Sequence, residues 1–502
     1  MDKSRHGELR CRGMNPPRQG PRNGVGLLVV RPAALVIGVA VVLRLLAVLD
    51  YSGGDFACCP ILDQLEYVQT ARRLAAGEAV ETVWRAPLYA HFVAAVFRWG
   101  GGQQIVLRVT QALLSAATAL LVYAIARTLL GAIAGLAAGL IFAVYWSSIV
   151  YCTQIVPATL FSFLATTAMY FLCRYSCTVS RAAAGFLAGL ATITRPTMIP
   201  SLGAWAVWCL AWPRAPRRPD LRGMLAFTVG AWLVIGPVAY TSFRRSGGLV
   251  PLSPLGGYNL FVGNNPESDG KTVWASERAL RRAGISTALP PSEYQRRYLR
   301  LVWRYVREHP IRETVLLLRK GYYLVNGYRI SSTFDMELMD RSVGWPLRIL
   351  ARLPFNGVIW PLGILGLAVA GFRRRRMAAV SLFILSYAAT VIAFFVNERL
   401  RLPLVPGLII LALAGVRHLA VATRGERLRM GALLAVLLVL SNSRLLGVAD
   451  PRDRVELDIR HAWAFYLAGR MEASREAAAR VRRWVPAHPR LRQLERSLGQ
   501  AE

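Results

Sequence analysis

The chain has 502 residues, 54% of them apolar and only 18% charged, with a mean hydropathy of +0.37. Soluble globular chains are nearer a quarter charged, and here the apolar residues gather in blocks near or above bilayer-spanning length; a soluble enzyme, a disordered chain and a fibrous protein are excluded. The net charge of +33 does not point to nucleic acid: Lys3, Lys271 and Lys320 are the only lysines among 61 cations, the usage a GC-rich genome gives, and no basic stripe is interleaved with aromatics.

In chain order, residues 1–31 are a basic tail with seven cations against two acids. The apolar run 32–49 follows without a small-residue cleavage site, which reads as an uncleaved signal anchor. Further apolar blocks lie at roughly 88–99, 105–130, 132–151, 155–173, 183–212, 224–242, 354–371, 377–396, 403–421 and 430–447. Segment 88–99 is short, and 183–212 is long and broken at Arg195-Pro196 and Pro200. Either 88–99 spans and 183–212 is one kinked helix, or 88–99 lies at the interface and 183–212 passes twice. Both give about eleven transmembrane helices, and the second fits the positive-inside rule better.

Three basic clusters, the N-terminal tail, Arg214–Arg218 and Arg373–Arg376, fall on one side, which is then cytoplasmic. The expected organisation is a transmembrane module over 32–242 with a first extracytoplasmic loop at 50–87, and a mixed extracytoplasmic domain at 243–345. Transmembrane helices follow at 346–448, then a helical tail at 449–502. The long loop carries 16 cations and 9 acids, but loops longer than about 60 residues cross regardless of charge. It holds a turn-rich stretch, Gly256 to Pro266, and an amphipathic helix at 291–308. In the tail, Phe465 to Pro486 fits one tetratricopeptide-like hairpin, which cannot bury its own face.

The cysteines have no zinc spacing, the six histidines are scattered, and adjacent Cys58 and Cys59 leave a vicinal disulfide open. The first loop is the informative segment. Asp63, Tyr67, Ala71 and Leu74 recur at helical spacing and Gly77 ends the helix, so a short surface helix carries a carboxylate in its first turn. Taken alone, Asp63 reads as a helix N-cap. Arg85-Ala-Pro87-Leu-Tyr89 leads rigidly into the next apolar segment. Lys320, before Tyr322 and Tyr323, and Arg399 and Arg401, before Pro403 and Pro406, read equally as phosphate ligands or as interfacial anchors. Arg195 sits at membrane depth if 183–212 is one helix, where an ionisable residue is a functional candidate; otherwise it is an outer-face arginine. Arg44 reads as a snorkelling residue.

The order Asp63-x3-Tyr67-x3-Ala71-x2-Leu74-x2-Gly77, then Arg85-x-Pro87-Leu88-Tyr89, just after the first transmembrane segment, resembles the GT-C class of membrane glycosyltransferases. The branch it is most similar to is that of bacterial protein O-mannosyltransferases and lipid A aminoarabinose transferases. Gly189 to Pro196, Gly263-Asn264-Asn265-Pro266 with Asp269-Gly270, and Arg399-x-Arg401-x-Pro403-x-x-Pro406 resemble further pieces of that family, and the likeness covers roughly residues 30–420.

The resemblance implies inverting sugar transfer from a polyprenyl-phosphate donor at the extracytoplasmic face of a bacterial inner membrane, with the N-terminus cytoplasmic. The family's catalytic aspartate falls on Asp63, as general base. Relatives often have Asp-Glu there, whereas this chain has Gln64; Glu66 is the nearest substitute but on a different helix face, and Asp50 and Asp55 are alternatives. Arg399, Lys320, Arg401 and Arg85 are the candidates for the donor phosphate, with Tyr67, Glu66 and Arg195 in support. No cofactor beyond the donor lipid is implied, although a divalent metal stays open. The partners are the bilayer, the donor lipid and an acceptor that is a protein, a lipid or a glycan. The rivals are a lipid-linked polysaccharide polymerase or ligase, a transporter, and a scaffold docking through the tail.

Overall fold

Among the described residues every regular element is helical. The computed structural model describes residues 25–80, 84–211, 220–248, 250 and 252–500, with side chains for all of these except 25–31, 58, 452 and 500. The tail before Val25, the cluster Arg214–Arg218 and the Cys58 side chain, with the disulfide considered for it, lie outside the described residues.

The chain begins with α1 (Val25–Gly53), α2 (Asp55–Cys58), α3 (Asp63–Ala75) and α4 (Pro87–Trp99). Then come α5 (Gln104–Leu130), α6 (Ala132–Val144), α7 (Trp146–Thr153), α8 (Ala158–Arg174), α9 (Thr178–Thr194), α10 (Ile199–Ala211) and α11 (Leu221–Ser246). The long loop folds as α12 (Leu255–Gly263), α13 (Glu277–Ala283), α14 (Pro291–Glu308), α15 (Pro310–Val325) and α16 (Met336–Ser342). The next group is α17 (Trp345–Arg352), α18 (Phe355–Ala370), α19 (Arg375–Ala393), α20 (Glu398–Arg401), α21 (Val405–Val421) and α22 (Arg424–Asn442). The tail is α23 (Val455–Leu467), α24 (Met471–Trp484) and α25 (Pro489–Gln500).

Among the described residues five helices are long and apolar enough to cross a bilayer, or seven if the bent pairs α6–α7 and α17–α18 each count as one span. Contacts at the two ends of the bundle order the strokes. At one end Arg181 donates to Asp220 (2.7 Å) and to the Cys209 carbonyl, Trp208 Nε1 donates to the Arg375 carbonyl (2.9 Å), and Arg417 donates to the Leu130 carbonyl. At the other, Arg108 reaches the carbonyls of Ala57 and Thr153, and Arg195 that of Arg399. The start of α9, the end of α10 and the start of α11 therefore share one end. Segment 183–212 is two antiparallel helices with Arg195-Pro196 at the turn, not one kinked helix. Helix α4 has 13 residues, about 20 Å, short of a bilayer core of about 30 Å. It stays beside the first turns of α5, where Tyr89 donates to Gln111 (2.8 Å).

Small residues let these helices meet. A side chain on Gly185 of α9 would fall on the Phe227 carbonyl of α11, the close approach that small residues permit in membrane bundles. At the break between α6 and α7, Arg44 donates to the carbonyls of Phe142 and Ala143 while bonding Ser115 and Ser148. Arg44 is fully buried, so it does not snorkel; it helps to satisfy the backbone of the break in an apolar setting.

The expected mixed domain is helical among its described residues. The stretch read as turn-rich is largely α12, a helix despite its glycines because Gly257 lets it lie against the Gln295 carbonyl of α14. The tail forms a hairpin, α23–α24, turning at Gly469 (φ +73°), and α25 covers its apolar face. Val455, Phe465, Val481, Leu491 and Leu494 make a small core that Phe56 and Cys59 of the first loop complete. Lys271 pairs with Asp453, and Arg454 with Glu337 and Asp335, so the tail also bonds the long loop.

Candidate active site

Asp63 opens α3. The residue before it, Leu62, has φ +52° and ψ −130°, a backbone region that a side chain with a Cβ rarely adopts, and it makes no side-chain cap. The carboxylate points away from the helix backbone to two guanidiniums. Arg85 Nη2 donates to Oδ1 at 3.0 Å, and Arg399 Nη1 donates to Oδ2. The arginines come from opposite parts of the chain, one just before α4 and the other on α20.

Glu66 joins the same cluster. It accepts from Arg85 Nε at 2.6 Å and from Nη2 at 2.5 Å, so one guanidinium bridges Asp63 and Glu66. Residues three apart share a helix face, and the expectation that Glu66 lies on a different face is corrected. Arg85 also stacks 5.4 Å over the Tyr67 ring, which packs edge-on against Tyr89 at 4.7 Å. Gln64 is buried and turned inward. It donates to Gln154 (3.1 Å) and accepts from the Ile155 backbone (3.1 Å), pinning α3 to the α7–α8 junction.

Arg195, at the α9–α10 turn, donates to the Arg399 carbonyl at 3.2 Å and so supports the segment that presents Arg399. Two arginines, Arg85 and Arg399, thus face two carboxylates, with Arg195 bonded behind Arg399. Arg399 also keeps a buried Nε without a partner, a donor free for a further acceptor. Burial alone would raise the Asp63 carboxyl, but Arg399 and Arg85 outweigh it and hold the group at about 2. The site is a carboxylate of low basicity inside a cationic ring.

The other candidates stand elsewhere. Arg401 is fully buried on the far side of α20, bonded to Glu398 (3.2 Å), to the Tyr328 carbonyl (2.8 Å) and to the Asn326 carbonyl. Lys320 is buried and donates to Asn264 Oδ1 at 2.6 Å; burial brings it down to about 8, with Glu313 opposing. Asp50 accepts from the Gly344 backbone (2.8 Å), and Asp55 pairs with Arg470 (3.6 Å). Sequence reasoning overlooked Glu398, which is fully buried and accepts from Ser147 (2.6 Å) and Asn356 (3.1 Å). An acid heading an apolar run was the available signal. Among the described residues no three His, Cys, Asp or Glu side chains gather as a metal site.

Residues 84–240 match the family described as dolichyl-phosphate-mannose-protein mannosyltransferase. The matched stretch includes Arg85 and Arg195, while Asp63 and Arg399 lie outside it. No curated protein matches the chain in sequence.

Solved structures similar to it include the Archaeoglobus fulgidus oligosaccharyltransferase AglB with an inhibitory peptide and a dolichol-phosphate. That likeness has 13% identity and a TM-score of 0.47, over 84% of this chain and 55% of that one. The apo form of the Archaeoglobus fulgidus enzyme gives 12% and 0.47, over 90% and 56%. ArnT from Cupriavidus metallidurans bound to undecaprenyl phosphate gives 15% and 0.35, over 79% of each chain. The chain spans about half the length of the oligosaccharyltransferases it resembles.

Proposed function

We propose that this protein is an inverting glycosyltransferase that moves a sugar from a polyprenyl-phosphate donor to an acceptor at the extracytoplasmic face of a bacterial inner membrane. In this reading the shorter helices α8, α9 and α10 and the less apolar α22 span together with the seven other strokes. Eleven passes then leave the N-terminus cytoplasmic, and the loops around Asp63 and the tail outside. The observation that carries the proposal is Asp63 between Arg85 and Arg399, a base and two phosphate ligands in one contact.

Asp63 takes the proton of the acceptor hydroxyl or amine as that atom bonds to the anomeric carbon. The carbon–oxygen bond to phosphate breaks, and the polyprenyl phosphate leaves with the electron pair. A single displacement, with the base on the face opposite the leaving group, inverts the anomeric centre. Guanidiniums are suited to the developing phosphate charge because they donate two hydrogen bonds in one plane.

A carboxylate held at about 2 is a poor base. The arriving phosphate competes for Arg85 and Arg399, and the carboxylate it releases gains basicity. The donor therefore switches on its own base. Lys320 and Arg401 act in this reading as buried supports for the loops that frame the site.

The test is reconstitution of the full chain in vesicles with polyprenyl-phosphate hexose or pentose and mixed protein, lipid and glycan acceptors. The expected result is transfer with release of polyprenyl phosphate and none from a nucleotide sugar. Transfer from the nucleotide sugar alone would overturn the donor assignment.

A further inference from the structure

Both bent spans break at one place. The α6–α7 pair bends by 49° at Tyr145 and the α17–α18 pair by 42° at Leu353-Pro354. A cavity of about 340 Å³ lies against the second break, and an inner pocket of about 30 Å³ shares Gly327, Arg329, Leu353 and Pro354 with it and ends at Tyr145, Ser147 and Asn356. Broken helices of membrane proteins commonly line ligand sites. A volume of this size falls in the range of small-molecule sites.

The cavity is separate from Asp63. Helix α20 is the wall between them: Glu398 bonds the inner-pocket residues Ser147 and Asn356, whereas Arg399 reaches Asp63 on the other side. The carboxylates in the wall are already matched. Asp340 is held by both Nη atoms of Arg329 and by Trp146 Nε1 (2.7 Å), and Glu337 pairs with Arg341 and Arg454. Arg352 and Arg444, at the mouth, are exposed, and neither forms an ion pair among the described residues. The cavity is cationic toward its opening.

Trp345 and Ile349 of α17, with Leu353 just after it, form an exposed apolar ridge, and Val436, Val439 and Leu440 another on α22. The cavity is lined by Arg352 and Leu353 at the end of the first and by Ser441 to Arg444 at the end of the second, and in the membrane reading of the fold both ridges face lipid. Apolar ridges flanking a cationic polar pocket suit a molecule with acyl chains and an anionic head. We propose that this cavity is a second binding site, apart from Asp63, that takes the phosphate-bearing head group of a membrane lipid through Arg352 and Arg444. It rests on the membrane reading of the fold and not on the chemistry assigned to Asp63.

The experiment uses the full chain, delipidated in neutral detergent, and native mass spectrometry with phosphatidylglycerol, phosphatidylcholine or glycerol phosphate alone. Phosphatidylglycerol is expected to bind at least about tenfold tighter than phosphatidylcholine. The double variant Arg352→Ala/Arg444→Ala should lose that preference, and Arg352→Lys/Arg444→Lys should keep most of it. Both arginines are exposed, so the variants should melt as the wild type does. Asp63→Asn should retain the lipid fully, even if its transfer chemistry is not as proposed above. Equal retention of phosphatidylglycerol by the double alanine variant would overturn the site. Binding of glycerol phosphate as tight as that of the lipid would overturn the lipid as its source, and loss of the lipid in Asp63→Asn would overturn its separateness.

Discussion

Arg399 and Arg401 sit on opposite sides of the same short helix. Arg401 is fully buried and bonded to a carboxylate and two carbonyls, with its guanidinium 5.3 Å over Trp360. Arg399 makes its ion pair to Asp63 at the partly open site. Each keeps an unpartnered Nε, so the difference lies in surroundings: the terminal nitrogens of Arg401 are spent on the fold in a closed setting, whereas Arg399 is 14% exposed beside a carboxylate that a ligand can reach. The contrast teaches that an Arg-x-Arg motif before a helix does not make two phosphate ligands. What each guanidinium already bonds decides its role.

The contrast is broken most strongly at Arg401. Arg401→Ala leaves Glu398 as a buried carboxylate without its cation, and losses of this kind are typically about 3–5 kcal/mol. A large fall in melting temperature and in yield is expected, whatever the substrate. Arg399→Ala should do the opposite: the fold stays, and turnover falls by about 10²–10³-fold, the range for losing one donor to a developing charge. Steady-state rates and melting curves on both variants check the pair. An Arg401→Ala protein as stable as the wild type and selectively weak for donor would reverse the assignment.

A second way to sharpen it is pH. Asp63 at about 2 is ionised in the free protein over the whole working range. Its pKa is depressed in the fold, so its contribution to stability is present above the unfolded value of 3.8 and is lost as pH falls toward 2. The profile of kcat/KM, which reports the free protein, should show no acidic limb from Asp63 above about pH 3. The profile of kcat should show that limb at higher pH, because bound phosphate draws the arginines away. Coincident limbs would remove the switching role. The smallest effect is at Leu62. Glycine accepts the positive φ that leucine resists, at a strain of about 1–3 kcal/mol, so Leu62→Gly should melt no lower than Leu62→Ala.

Much of this was legible in the sequence. The apolar blocks located the long helices because length and hydropathy are set locally. The break at Arg195-Pro196 followed from proline. Spacing located the short helix that carries Asp63 and Tyr67 but read Asp63 alone as a cap; the resemblance singled out Asp63, Arg85 and Arg399, which the fold brings into contact. What was not legible depends on distant partners. Whether 183–212 turned back or ran on depended on Arg181 meeting Asp220 and Cys209. Glu66 shares a helix face with Asp63 by its spacing of three, but that one arginine bridges the two depended on where the chain brings Arg85. Arg44 read as a snorkelling residue, and Arg401 and Lys320 equally as phosphate ligands or interfacial anchors, because a cation in the sequence gives no sign of the carbonyl or amide that buries it. The α12 helix was masked by glycines whose use is close packing against α14.

The central claim is that Asp63 is the base and that its arginines belong to the donor phosphate during reaction. The measurement that tests it most directly is donor binding and single-turnover transfer on one preparation of Asp63→Asn. Asparagine removes the charge competing for Arg85 and Arg399, so donor binding should be as tight as in the wild type or tighter. Transfer should slow by about 10²–10⁴-fold, the usual value of a positioned base. Wild-type transfer in Asp63→Asn, with donor binding unchanged, would contradict the account.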